Sequence, residues 1–179
     1  MKLIILDRDG VINEDSAAYI KHPDEWIAIP GSLQAIARLH QAGWKVAIAS
    51  NQSGLARGYF DTTTLTAIHQ KMRKELASLG GSIDALFVCP HGPDEGCSCR
   101  KPLPGLFHDI ARRYDLALEG VPAVGDSMRD LQASAAAGCT PWLVQTGNGA
   151  KTIKQEHLPV GTRFAADLAD AVDQILSGH

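Results

Sequence analysis

The chain has 179 residues, 45% of them apolar and 21% charged, with a formal net charge of −3. A length in this range suits one compact unit with a sizeable core, so residues 1–179 are read as a single domain. The slightly acidic balance excludes the generic electrostatic grip on nucleic acid or anionic membranes, which needs a basic face, and points to small partners.

Leu3-Ile4-Ile5-Leu6 is an aliphatic run of the kind buried on both faces of a parallel sheet, and it ends in Asp7-Arg8-Asp9-Gly10. Ligands collect beyond the carboxyl ends of such strands. Alternation would send Asp7 and Asp9 to opposite faces, but Gly10 permits a sharp turn through which both carboxylates can converge on one small anion or metal. The pair taken alone also fits an acidic strand cap. An EF-hand loop is excluded, because its glycine comes sixth and here it comes fourth. Ser32 is expected to cap a helix running to about Ala42, with Gly43 as its stop. Trp44 to Ala49 reads as a strand leading into Ser50-Asn51, and Asp61 as the cap of a helix through Leu79, ended by Gly80-Gly81. A strand from Ile83 to Val88 leads towards Arg100-Lys101-Pro102, and Pro104 opens a helix reaching about Tyr114. The strand Val121 to Val124 runs into Gly125-Asp126-Ser127, followed by an amphipathic helix from Met128 to Ala137, a late strand from Pro141 to Gln145 and a closing helix from Asp167 to Leu176. Such alternation indicates an α/β fold with a mainly parallel sheet. No apolar stretch nears the roughly 20 residues that span a bilayer, and the first run is too short for a secretory leader, so a cytoplasmic location is expected.

Between Cys89 and Cys99 lie three thiols and an imidazole, as Cys89-Pro90-His91 and Cys97-Ser98-Cys99. This is the Cys₃His set of a closed tetrahedral Zn²⁺ site, whereas Mg²⁺ and Ca²⁺ prefer oxygen. Disulfides are the alternative; a cytosolic redox poise disfavours them, and they leave His91 unexplained. A closed site has no open coordination position, so its expected role is structural, ordering a Gly- and Pro-rich loop. Cys139, beside Gly138, reads as a small packed hydrophobe.

Four strand ends thus carry polar groups, and in order and type they resemble the four motifs of the haloacid dehalogenase-like superfamily: D-x-D-G at Asp7, Ser50, Lys101, and G-D-x-x-x-D from Gly125 through Asp130. The resemblance implies a three-layer Rossmann-like sheet with helices on both faces. Only 40 residues lie between Asp9 and Ser50 and 49 between Asn51 and Lys101, which leaves no room for an inserted cap domain. Loops must therefore shape the pocket, the candidates being Asn13 to Gly31 and Cys89 to Leu103. The resemblance further implies that Asp7 is a nucleophile, Asp9 a general acid and base, Ser50 with the Asn51 backbone a phosphoryl-binding pair, and Lys101 a charge holding nucleophile and phosphoryl group together. Mg²⁺ is implied on Asp7, the Asp9 carbonyl and Asp126, with Asp130 supporting the site from behind. Asp9 favours phosphatase over dehalogenase, since a halide leaves without a proton.

The Cys motifs followed by C-R-K-P narrow the resemblance to the zinc-containing capless phosphatases, whose members act on D-glycero-D-manno-heptose 1,7-bisphosphate or on histidinol phosphate. Asn51-Gln52-Ser53-Gly54-Leu55-Ala56-Arg57-Gly58 is similar to the heptose branch, which serves nucleotide-activated heptose and lipopolysaccharide core biosynthesis. Arg57 and Arg100 suit a second phosphate, Arg100 bidentately. The expected partner is a phosphorylated sugar, with no nucleic acid and no membrane, and the expected state a monomer. Histidinol phosphate or another small phosphate ester is the alternative substrate, a phosphoryl acceptor other than water an alternative reaction, and a non-catalytic metal-stabilised binding module the alternative from another class.

Overall fold

The computed structural model describes residues 1–178. Five-residue β1 (Lys2–Leu6) is followed by a 3₁₀ turn at Pro23–Glu25, α1 (Ser32–Gln41), β2 (Trp44–Asn51), α2 (Thr62–Ala77), β3 (Ala85–Cys89) and α3 (Gly105–Tyr114). The second half contains β4 (Pro122–Gly125), α4 (Met128–Ala136), β5 (Thr140–Val144), α5 (Gly149–Thr152), β6 (Arg163–Ala165) and α6 (Leu168–Leu176). The strands form one six-stranded sheet in the order β3-β2-β1-β4-β5-β6, with every pair parallel.

The aliphatic run of β1 is buried on both faces, as its lack of polar alternation requires. Ile4 and Leu6 pack with residues of α1, α2 and α6 such as Leu39, Met72 and Val172. Leu3 and Ile5 pack on the other side with Leu106, Phe107 and Ile110 of α3 and Ala133 of α4. The result is the three-layer arrangement expected from the sequence. The chain runs outwards from β1 to β3, then returns across it to β4, so the strand order reverses between β1 and β4. Parallel sheets of this kind present their ligand crevice at the carboxyl ends beside that switch point. No domain is inserted in the connections: residues 7–31 hold only the short 3₁₀ turn, and residues 90–104 no helix or strand. Among the described residues, no helix is long and apolar enough to cross a membrane.

Most expected elements lie within two residues of their observed limits. Ser32 differs in role: the N-cap is Gly31, at φ 85°, and Ser32 is the first helical residue. Its hydroxyl donates to the Ile12 carbonyl at 2.6 Å, tying α1 to the loop after β1. Asp61 caps α2 as read, accepting from Thr64 N–H at 2.8 Å. The short α5 and β6 have no counterpart in the sequence reading.

Candidate active site

The loops after β1, β2, β3, β4 and β5 meet around a cavity of about 310 Å³ at the carboxyl edge of the sheet. Its lining includes Asp7, Asp9, Asn51, Arg57, Arg100, Lys101, Asp126 and Asp130, eight of the residues singled out from sequence. Ser50 lies at the end of β2 and is 1% exposed; its hydroxyl accepts a hydrogen bond from Gln52 Nε2 at 2.8 Å. The four Cys-loop residues gather in a separate cluster alongside.

Gly10 makes the convergence possible. It adopts φ +83°, and a Cβ there would collide with Asp126 Oδ2, so only glycine lets the β1 loop approach the β4 loop. Gly147, at φ +57°, closes the same corner from β5. Thr146 Oγ1 donates to the Gly10 carbonyl at 2.7 Å, and Asn148 N–H to Asp126 Oδ2 at 2.8 Å.

Lys101 is 3% exposed and sits between two carboxylates, its Nζ 3.1 Å from Asp7 Oδ1 and 2.7 Å from Asp130 Oδ1. It also donates to the Ala49 carbonyl at 2.8 Å, while its backbone is clamped by the Asn51 amide, which accepts from Lys101 N–H at 3.0 Å and donates to Lys101 C=O at 3.1 Å. Burial disfavours the ammonium, but Asp130 and Asp7 outweigh it and hold the group above the usual lysine range. Asp130 completes a capping box at the start of α4, its Oδ2 accepting from Ser127 N–H at 3.1 Å and Ser127 Oγ at 2.9 Å. With Lys101 on its other oxygen, its carboxyl stays below the ordinary range despite burial.

Asp7 and Asp126 shift in the opposite direction to Asp130. Burial, then the charge of Asp130, pushes Asp7 up to about 7 against the pull of Lys101. Burial and the charges of Asp7 and Asp130 push Asp126 up to about 8. Carboxylate oxygens of Asp7, Asp126 and Asp130 lie within 4.8 Å of one another, and Lys101 pairs with the first and the last. A hard divalent ion suits this all-oxygen cluster, since its charge would offset the burial and mutual repulsion that hold protons on Asp7 and Asp126.

The second cluster fits a different ion. Cys89 Sγ stands 3.8 Å from Cys97 Sγ and 3.5 Å from His91 Nδ1, and His91 Nδ1 stands 3.3 Å from Cys99 Sγ. Ligands about 2.1–2.3 Å from a central tetrahedral zinc lie roughly 3.5–3.8 Å apart. Cys89 and Cys99 are closest, at 3.1 Å, still far beyond a disulfide bond, and all four cysteines are free thiols. Arg100 follows directly and donates to the His91 carbonyl at 3.3 Å, so the ordering of this loop is passed to the cavity wall.

A family description of haloacid dehalogenase-like hydrolases matches residues 2–138. The chain belongs to this family. It is 70% identical over 176 residues to the D-glycero-beta-D-manno-heptose-1,7-bisphosphate 7-phosphatase of Bordetella bronchiseptica, covering 98% of each chain. It is 53% identical over 176 residues to the enzyme of the same name from Pseudomonas putida, covering 98% of this chain and all of the relative. The crystal structure of the D,D-heptose 1,7-bisphosphate phosphatase from B. bronchiseptica, complexed with magnesium and phosphate, superposes with a TM-score of 0.99 at 69% identity, covering both chains fully.

Several lining residues of this haloacid dehalogenase-like hydrolase carried no sequence signal strong enough to single them out. Asp15 and Tyr19 come from the loop after β1, Arg129 from the first turn of α4, and Asn148 from the turn after β5. Asn148 follows Gly147 at a fifth strand end, a position that could have been read by the same rule as the other four. Arg57 lies over the Tyr19 ring, 6.0 Å from its centroid, and Tyr19 meets Tyr59 edge-on at 5.1 Å, which joins the loops after β1 and β2.

Asp9 accepts four side-chain hydrogen bonds. Its Oδ1 accepts from Arg8 Nη2 at 2.8 Å, Arg8 Nε at 3.0 Å and Asn13 Nδ2 at 2.8 Å, and its Oδ2 from Gln52 Nε2 at 3.0 Å. Burial raises its carboxyl, but Arg8 and the amide donors prevail and hold it below the usual range.

Proposed function

We propose that this protein removes the 7-phosphate of D-glycero-D-manno-heptose 1,7-bisphosphate through an aspartyl-phosphate on Asp7, a step towards nucleotide-activated heptose. The substrate rests on the names of the relatives that match the whole chain, and the chemistry on one observation above all: the buried Lys101 held between Asp7 and Asp130 at the mouth of β1.

Asp7, as its carboxylate, attacks phosphorus in line and splits one difficult hydrolysis into two easier steps. Asp9 protonates the departing sugar oxygen and then takes a proton from the attacking water. Its bonds to Arg8, Asn13 and Gln52 favour the anion, the state needed for the second step; an arriving phosphate dianion raises its proton affinity before the first. Ser50 accepts from Gln52 and so keeps its hydroxyl proton for a phosphoryl oxygen, beside the Asn51 N–H. Asp7, Asp126 and the Asp9 carbonyl would hold Mg²⁺, which would supply charge to offset repulsion between carboxylate and phosphate. Cys89, His91, Cys97 and Cys99 would hold Zn²⁺, which would order the loop that presents Arg100 and Lys101. Arg57 and Arg100 grip the phosphate remote from the reaction.

Phosphate release measured with Mg²⁺ across heptose 1,7-bisphosphate, sugar monophosphates and histidinol phosphate tests this reading. The heptose bisphosphate is expected to have the highest kcat/KM; a preference for histidinol phosphate would overturn the substrate assignment.

A further inference from the structure

Arg8 stands between the two aspartates in sequence, yet its side chain is wholly buried and is absent from the cavity lining. A guanidinium cannot shed its proton, so burial commits its N–H groups to acceptors. Two of them go to Asp9 Oδ1, and Nη1 faces Nε2 of His69 on α2 at 3.0 Å. Arg8 can only donate, so this ring nitrogen accepts and His69 is neutral. Burial, then the Arg8 charge, pushes the imidazole down to about 4, in keeping with that assignment.

His69 is 9% exposed and is likewise absent from the cavity lining. Its effect on the site passes through Arg8. With Asn13 Nδ2 as a third donor, Asp9 Oδ1 has no lone pair left, whereas Oδ2 meets, among the described residues, only Gln52 Nε2. We propose that His69 is a positioning residue for the phosphatase reaction: through Arg8 it locks the Asp9 carboxylate with Oδ1 saturated, so that Oδ2 is the oxygen that exchanges the proton. The inference rests on the reading of Asp9 as acid and base. In the first half-reaction the bond from phosphorus to the sugar oxygen breaks with its electron pair going to that oxygen. The oxygen takes the Oδ2 proton and departs as an alcohol, while an electron pair of the Asp7 carboxylate forms the new bond to phosphorus.

Leaving-group dependence separates positioning from structure. A sugar alkoxide needs the proton, whereas p-nitrophenolate leaves without it. The quantity to compare is kcat/KM for the heptose bisphosphate and for p-nitrophenyl phosphate, with the full chain and Mg²⁺. It runs only to cleavage of the ester and excludes hydrolysis of the aspartyl-phosphate. Asp9→Asn is expected to lower the sugar-to-aryl ratio strongly. His69→Leu is expected to lower it by about tenfold, a part of the roughly 10²–10⁴ that general acid help contributes, and His69→Gln, which restores an acceptor, to bring it back to about the wild-type ratio. Equal losses on both substrates in His69→Leu, with Asp9→Asn still discriminating, would overturn the positioning role alone. An Asp9→Asn variant that did not discriminate would remove the acid role and the inference with it. Should His69→Leu fail to fold, His69→Gln against His69→Asn makes the same comparison, because Asn, one methylene shorter, keeps its acceptor out of reach of Arg8; equal ratios in that pair would overturn the proposal.

Discussion

Asp7, Asp9, Asp126 and Asp130 share one end of the sheet, and their surroundings divide them into two that resist ionisation and two that are forced into it. Asp7 and Asp126, pushed up to about 7 and about 8, keep protons in the folded state that the unfolded chain has already released. Their contribution to stability is therefore full below about pH 4 and is lost as the pH climbs through 7 to 8. Asp9 and Asp130, held low, act in reverse: their stabilisation is present above about pH 4 and fades in acid. Thermal unfolding without added Mg²⁺ is expected to give a falling Tm between about pH 5.5 and pH 8, and added Mg²⁺ to raise Tm more at the upper end, where it no longer competes with protons. A Tm gain independent of pH would contradict the cluster's role in holding the ion.

Substitution separates the same groups by chemistry. Asp7→Asn is nearly isosteric but not nucleophilic, so turnover is expected to vanish with circular dichroism and Tm little changed. Asp9→Asn is expected to cost roughly 10²–10⁴ in rate, the usual worth of acid–base help; a loss below tenfold would remove its assigned role. Arg8 and His69 escaped the sequence reading for a definite reason. Arg8 sits inside a recognised motif at its variable position, and His69 is a lone histidine on a helix, so only the 3.0 Å contact between residues 61 positions apart gives either a meaning.

Among elements, strands with polar groups at their carboxyl ends were legible because burial on both faces demands an unbroken aliphatic run and the ligand crevice demands the change that follows it. β6 has three residues and only Ala165 of them is buried, too little apolar content to register as a strand. α5 is a four-residue turn packed beneath Asp126, where Thr152 Oγ1 donates to the Asp126 carbonyl at 2.8 Å. Ser32 lies inside α1 rather than at its cap because the chain enters the helix through a left-handed glycine, a conformation that residue types alone do not reveal when a good capping residue stands next door. The Cys loop is legible as a ligand set that leads into Arg100 and Lys101 at the crevice, but the clamp of the Asn51 amide on the Lys101 backbone is not. Cys97→Ser, or removal of zinc, is expected to lower Tm and turnover together, with no rescue by Mg²⁺. Elemental analysis finding no zinc in protein purified under reducing conditions would contradict this.

Over the whole molecule, the switch point between β1 and β4 sets the polarity of the site: carboxylates cluster at its floor, and Arg57, Arg100 and Arg129 stand among the lining residues. That division predicts how specificity fails. Arg57→Ala or Arg100→Ala is expected to raise KM for the heptose bisphosphate far more than for a small monoester, by roughly ten- to a hundredfold for a lost charge-assisted contact worth about 1.5–3 kcal/mol. Lys101→Ala is expected to damage both substrates alike. Equal losses in the arginine variants would make the second phosphate irrelevant to recognition.

The pairing of β1 with β4 also sets a timetable. Asp7 N–H bonds to Val124 C=O at 2.9 Å, and Thr146 Oγ1 reaches back to Gly10 C=O, so the carboxylate cluster closes only when segments more than a hundred residues apart have docked. Loop-closure entropy places such contacts late on the folding route. A cation that needs Asp7 and Asp126 together therefore finds no binding site in the rate-limiting transition state, and Mg²⁺ is expected to slow unfolding while leaving the refolding rate almost unchanged, a split that stopped-flow traces in both directions would reveal.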